Sequence, residues 1–164
     1  GHTEAVAWLL AVKADVDKEM VGGATPLYLA ARGGHAEVIA WLLAKQADVD
    51  RPTQAGASPL YIAARGGHAE AAARLLAGGA EPDGKAGGMS TPLHSAVLCC
   101  HTEVVGRLLR SGARPRPEQV WLSLLLGNLR GARRLALALG YSRALWGTGC
   151  LLVFGTLLAC FALW

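Results

Sequence analysis

The sequence is short of cysteine, of aromatic residues and, over its last stretch, of charge. Four Cys in 164 residues are too few for a disulfide scaffold. Aromatic residues make up only 6% of the chain, and its basic residues are not interleaved with them along one face, so a nucleic-acid surface is not expected. There is no phosphate-cradling glycine loop, no Ser/His/Asp grouping and no paired-carboxylate cleft. The chain is therefore read as non-enzymatic, with no cofactor and no metal. Glycine-rich stretches such as Gly84 to Gly88 belong to loop tips.

What is present is unevenly distributed. Apolar residues make up 52%, which excludes a disordered chain, and the mean hydropathy of +0.32 is high for a soluble protein. The excess is local, because residues 144–164 contain no charged side chain. Residues 1–103 carry 8 Lys/Arg against 11 Asp/Glu, a net −3, while residues 104–143 carry eight Arg against the single acid Glu118, a net +7. These sum to the overall +4. A mildly acidic body thus leads through a basic neck to an uncharged tail.

The body repeats itself every 33 residues. Thr25-Pro26-Leu27, Ser58-Pro59-Leu60 and Thr91-Pro92-Leu93 stand in register, as do His2, His35, His68 and His101, each followed two residues later by Glu. Residues 25–50 and 58–83 are identical at 17 of 26 positions. Thr25, Ser58 and Thr91 are suited to N-cap a helix whose first residue is Pro26, Pro59 or Pro92, where a missing N–H costs nothing. Gly33-Gly34 and Gly66-Gly67 are suited to the left-handed conformation that ends it. A second helix begins near His35-Ala36-Glu37, with Val38, Ile39, Trp41, Leu42 and Leu43 crowding one broad face, and ends before Gln46. Each unit is helix, tight turn, helix and extended loop, and buries its apolar face only by stacking on its neighbours.

These motifs resemble the ankyrin repeat over about residues 1–116. The resemblance implies an all-α solenoid: a partial repeat at 1–19, repeats at 20–52, 53–85 and 86–116, and a degenerate capping repeat at 117–140 with Arg130, Arg133 and Arg134 facing water. A hydrophobic C-terminal helix at 144–164 is expected to follow. The chain opens in mid-repeat, Gly1-His2-Thr3-Glu4 matching Gly34-His35-Ala36-Glu37, so at least half a repeat is expected upstream. The motif set is Thr25, Pro26, Gly34, His35, Ser58, Pro59, Gly67, His68, Thr91, Pro92, His94 and His101. Three departures stand out. Tyr28 and Tyr61 replace the usual fourth-position His that His94 keeps, which puts that inter-repeat network in doubt. Cys99-Cys100 replace Gly-Gly, a strain on the order of 1 kcal/mol that marks this repeat as the weaker one. Met20, Thr53 and Ala86 replace the usual loop Asp, weakening the loop's own hydrogen bonding.

The repeated histidines are read as structural residues of the turn. Stacked helix pairs lie about 8–10 Å apart, too far to share an ion whose ligands sit at about 2 Å. Cys99 and Cys100, outside a C-x-x-C frame, are read as small buried hydrophobes, with a redox or metal role as the alternative. Cys150 and Cys160 are read as packing residues of the tail, with acylation of Cys150 as the alternative.

In the ankyrin family partners are held by the loop tips and the exposed part of each first helix, which line a concave surface. Carried over, this makes Glu19, Val21, Arg32, Gln54, Arg65, Lys85 and Leu98 the candidate partner-binding residues, with Arg32 and Arg65 aligned one repeat apart. The alternative for those two is a pair of solvated helix ends. The expected function is a protein–protein interaction scaffold or adaptor whose partner is another protein. A 21-residue helix over 144–164 would be about 31 Å long, matching a hydrocarbon core of about 30 Å. Trp146 and Trp164 near its ends and the basic neck place the repeats on the cytoplasmic face of a membrane. A helix covering the end of the solenoid and a non-native end are the competing readings of the tail. Other functional readings are a substrate-recruiting adaptor of a ubiquitin ligase, for which no convincing SOCS box follows the repeats, and the cytoplasmic repeat region of a larger channel or acyltransferase.

Overall fold

The computed structural model describes residues 15–84 and 91–116, together with 134, 135, 137 and 138. Six complete helices follow one another among the described residues: α1 (Pro26–Arg32), α2 (Ala36–Ala44), α3 (Pro59–Gly66), α4 (Ala69–Ala77), α5 (Pro92–Leu98) and α6 (Thr102–Arg110). None of the described residues is in a strand. Helix pairs α1–α2, α3–α4 and α5–α6 stack so that α1, α3 and α5 form one row and α2, α4 and α6 the other. This is the all-α stack of helix-turn-helix units expected from the repeat. Lys85, most of 117–140, the start of the chain and the hydrophobic segment 144–164 lie outside the described residues. Among the described residues no helix is long and apolar enough to cross a membrane.

Local chemistry accounts for both ends of the first helices. The hydroxyls of Thr25, Ser58 and Thr91 accept from the backbone N–H of Tyr28, Tyr61 and His94 at 3.2, 3.2 and 3.3 Å, and Pro occupies the first helical position each time. Each helix ends in a two-residue turn in which the third backbone N–H, from His35, His68 or His101, reaches back to the carbonyl of Ala30, Ala63 or Ala96. That closure needs a left-handed residue just before the histidine. Gly34, Gly67 and Cys100 supply it with φ of 71°, 74° and 58°. Gly33 stays right-handed at φ −85°, so only the second glycine of each pair answers to the expected left-handed role.

The core runs through the stack in repeat register. Leu27, Leu60 and Leu93 on the first helices are fully buried, as are Leu75 and Leu108 on the second, with Leu42 almost so. Each such leucine contributes about 1.5–3 kcal/mol relative to an exposed one. Leu135, 0% exposed, belongs to the same buried core. The cysteines contradict their sequence reading. Cys99 and Cys100 are free and exposed rather than buried, because the turn that carries them projects from the stack instead of packing into it.

Candidate partner-binding face

Two periodic sets of polar contacts tie successive repeats together, and between them they fix the face that the first helices and loops present. The first set runs through the histidines. His68 Nε2 lies 3.1 Å from the carbonyl oxygen of Arg32, and His101 Nε2 lies 3.1 Å from that of Arg65. The rings therefore act between repeats, not only within a turn. The His68 ring is also wedged between two glycines. A Cβ on Gly34 would come within 2.5 Å of the His68 ring, and one on Gly66 within 2.7 Å of it. The second glycine of each pair is thus needed both for its φ and for the room it leaves, whereas Cys99, in the place of Gly66, leaves the His101 contact at the same 3.1 Å.

The second set is a row of carboxylates. Asp17 accepts from the backbone N–H of Asp48 at 3.2 and 3.3 Å, Asp50 from Glu81 at 3.3 and 3.1 Å, and Asp83 from Arg114 at 3.1 Å through both oxygens. The reading of the sequence missed this row, although Asp17, Asp50 and Asp83 recur at the same 33-residue period as the histidines. Repeats are therefore coupled by His and Asp on either side of the second helix, whatever occupies the fourth position of the opening motif.

The loop tips are held by backbone as well. Met20 N–H donates to Ala24 O at 2.9 Å and Gly23 N–H to Met20 O at 2.9 Å, closing the first tip. In the next tip Thr53 N–H donates to Ala57 O at 3.1 Å, and Gln54 N–H crosses to Gly22 O at 3.0 Å to join the two tips. The expected loss of loop hydrogen bonding does not hold at Thr53. Its hydroxyl accepts from Ala57 N–H at 3.2 Å and so does the work of the missing carboxylate. Met20 has no such oxygen, and its loop relies on the glycines Gly22 and Gly23, with φ of 90° and 75°.

On this frame the candidate residues fall into two groups. Glu19 is engaged by Arg51 at 2.9 Å, so its carboxylate is already partnered. Val21 at the first tip is fully exposed beside Met20 at 60%, and Gln54 is exposed on the second tip. Arg32, Arg65 and Leu98 occupy one position at the ends of α1, α3 and α5, all exposed. Arg74 and Arg107 meet Glu70 and Glu103 on the second-helix side. Arg32 and Arg65 make no ion pair among the described residues. Trp41, 50% exposed, lies on the second-helix side of the stack, apart from this face.

At the far end the pattern changes. Arg134, 33 residues after His101, is helical, whereas His35, His68 and His101 each stand just before their helix, so it does not continue the histidine row. Its guanidinium donates to the carbonyl of Thr102 and lies over Gly106, where the two preceding repeats carry Ala40 and Ala73. Its side chain is exposed, as expected, yet it also bridges to α6. No group of three or more His, Cys, Asp or Glu suited to a metal ion occurs among the described residues.

Comparison with curated proteins finds no match. A family model described as ankyrin repeats (3 copies) matches residues 1–53 and 52–119. That span covers well over half of the chain, and its repeats are the helix pairs, capped turns and loop tips described above; the chain belongs to the ankyrin-repeat family.

Proposed function

We propose that this protein is a non-catalytic interaction scaffold that holds a partner protein on the face formed by its loop tips and first helices. The observation that carries this reading is the first loop tip. Met20 and Val21 present apolar side chains to solvent, 60% and 104% exposed, from a backbone closed by its own hydrogen bonds and tied to the next tip. Apolar groups held out on an ordered support favour association, since covering them removes apolar surface without first ordering the loop. Gln54, Arg32, Arg65 and Leu98 extend the same face over the following repeats.

A photo-crosslinking residue placed at Val21 or Gln54 tests the assignment against one placed at Trp41. Partner adducts are expected from the first two sites. Adducts formed only from Trp41 would move the partner to the second helices and overturn this reading.

The uncharged stretch 144–164 and the net +7 over 104–143 support attachment to the cytoplasmic face of a membrane. Carbonate extraction of membranes from expressing cells is expected to leave the protein in the pellet. Release into the supernatant would exclude a spanning segment.

A further inference from the structure

The row formed by Arg32, Arg65 and Leu98 defines what kind of segment the face accepts. We propose that it binds an extended, polyproline-type segment of a partner protein with acidic side chains at two positions three residues apart and an apolar side chain three further on. The proposal rests on the partner-binding face argued above and adds its ligand chemistry.

Three observations support it. First, the two arginines are exposed and unpaired among the described residues, while neighbouring Arg51, Arg74 and Arg107 all find carboxylates. Second, their backbones are pinned. The carbonyls that His68 and His101 hold at 3.1 Å are those of Arg32 and Arg65, so the two cation-bearing positions are locked one repeat apart before any ligand arrives. Third, the row changes character at its third member, where Leu98 is 46% exposed at the corresponding position.

The spacing selects the ligand's conformation. Packed helices lie about 8–10 Å apart. A polyproline-type chain rises about 3.1 Å per residue with three residues per turn, so every third side chain points the same way about 9.3 Å further along. A β-strand alternates faces, and its same-side neighbours lie only about 6.7 Å apart. The polyproline register therefore matches the rack, and the order cation, cation, apolar calls for acid, acid, apolar. The apolar end also favours a peptide over a lipid headgroup, which would offer only its anion to the row.

The test uses the full chain in neutral detergent and fluorescein-labelled synthetic peptides, followed by anisotropy. One peptide carries Asp, Asp and Leu at successive third positions with Pro between them, made in both chain directions. A second has Lys for each Asp, and a third has Asp at every second position. The first is expected to bind best in one direction. The Arg32→Glu/Arg65→Glu variant is expected to weaken it about tenfold and to gain binding of the Lys peptide. Circular dichroism is expected to be unchanged, because both side chains are exposed and the histidines use only their backbone carbonyls. Equal binding of the third peptide, or no loss in the variant, would overturn the proposal. So would binding of phosphatidylserine vesicles that the variant loses while no peptide binds. If the peptides fail but Val21 still crosslinks a partner, the partner face stands and its assigned ligand chemistry falls.

Discussion

Two turns built on one plan, Gly66-Gly67 and Cys99-Cys100, separate the two demands that the repeat makes on its glycines. At Gly67 the backbone is left-handed, and the His101 ring lies where a side chain would be, 2.6 Å from an added Cβ. At Cys100 the backbone is equally left-handed, with φ 58°, and no histidine stands 33 residues after His101, where the sequence has Arg134. The need for a special φ survives there, and the need for empty space does not. The comparison teaches that the second glycine records the presence of the next histidine as much as the geometry of the turn.

Four measurements bear on that comparison, taken from the largest expected effect. Leu60→Ala, in the repeat flanked on both sides, is expected to lower stability by about 2–5 kcal/mol in urea titrations followed by circular dichroism. Leu93→Ala is expected within the same range, since both side chains are fully buried. A much smaller loss at Leu93 would show the cysteine-bearing repeat to be loosely packed, contrary to its burial.

Gly67→Ala is expected to destabilise by about 2 kcal/mol or more, because it combines left-handed strain with displacement of the His101 ring from the Arg65 carbonyl. Gly79→Ala isolates the first of these effects. Its φ is 91° with nothing within 4 Å of an added Cβ, so a loss of about 1 kcal/mol is expected. Equal losses at the two sites would remove the ring from the argument.

Cys100→Gly is expected to stabilise by about 1 kcal/mol through relief of its positive φ. Cys99→Gly offers no such relief, since φ there is −86°, and its thermal midpoint should not rise. The smallest effect belongs to Gln46, left-handed at φ 63° where Gly79 and Gly112 stand in the later repeats. Gln46→Gly should add about 0.5 kcal/mol, read as a small rise in the urea midpoint.

Much of the architecture was legible because it is local. Thr25 before Pro26 and the glycines before His35 and His68 act within a few residues, so their spacing alone predicts helix starts and stops. What escaped depends on contacts between repeats. The histidines were read as parts of their own turns, yet His68 and His101 reach the preceding repeat. The Asp17, Asp50 and Asp83 row was visible as a period but not as a set of bonds, because each carboxylate meets a backbone N–H 31 residues away. Cys99 and Cys100 were placed inside on residue type, whereas their turn position puts them outside. On the partner face, Glu19 could be named from its loop position, but its engagement by Arg51 could not be read from a lone sequence.

The change at Cys100 also bears on assembly. A periodic polymer grows for as long as its last unit presents the same coupling surface as the one before. Here the coupling surface is a glycine notch that receives a ring, and at Cys100 a side chain fills the notch. A second copy offering a histidine could not dock on this turn as His101 docks on Gly67. That coupling is closed to a neighbouring copy at the third turn, which disfavours head-to-tail fibres that reuse the contacts within the chain.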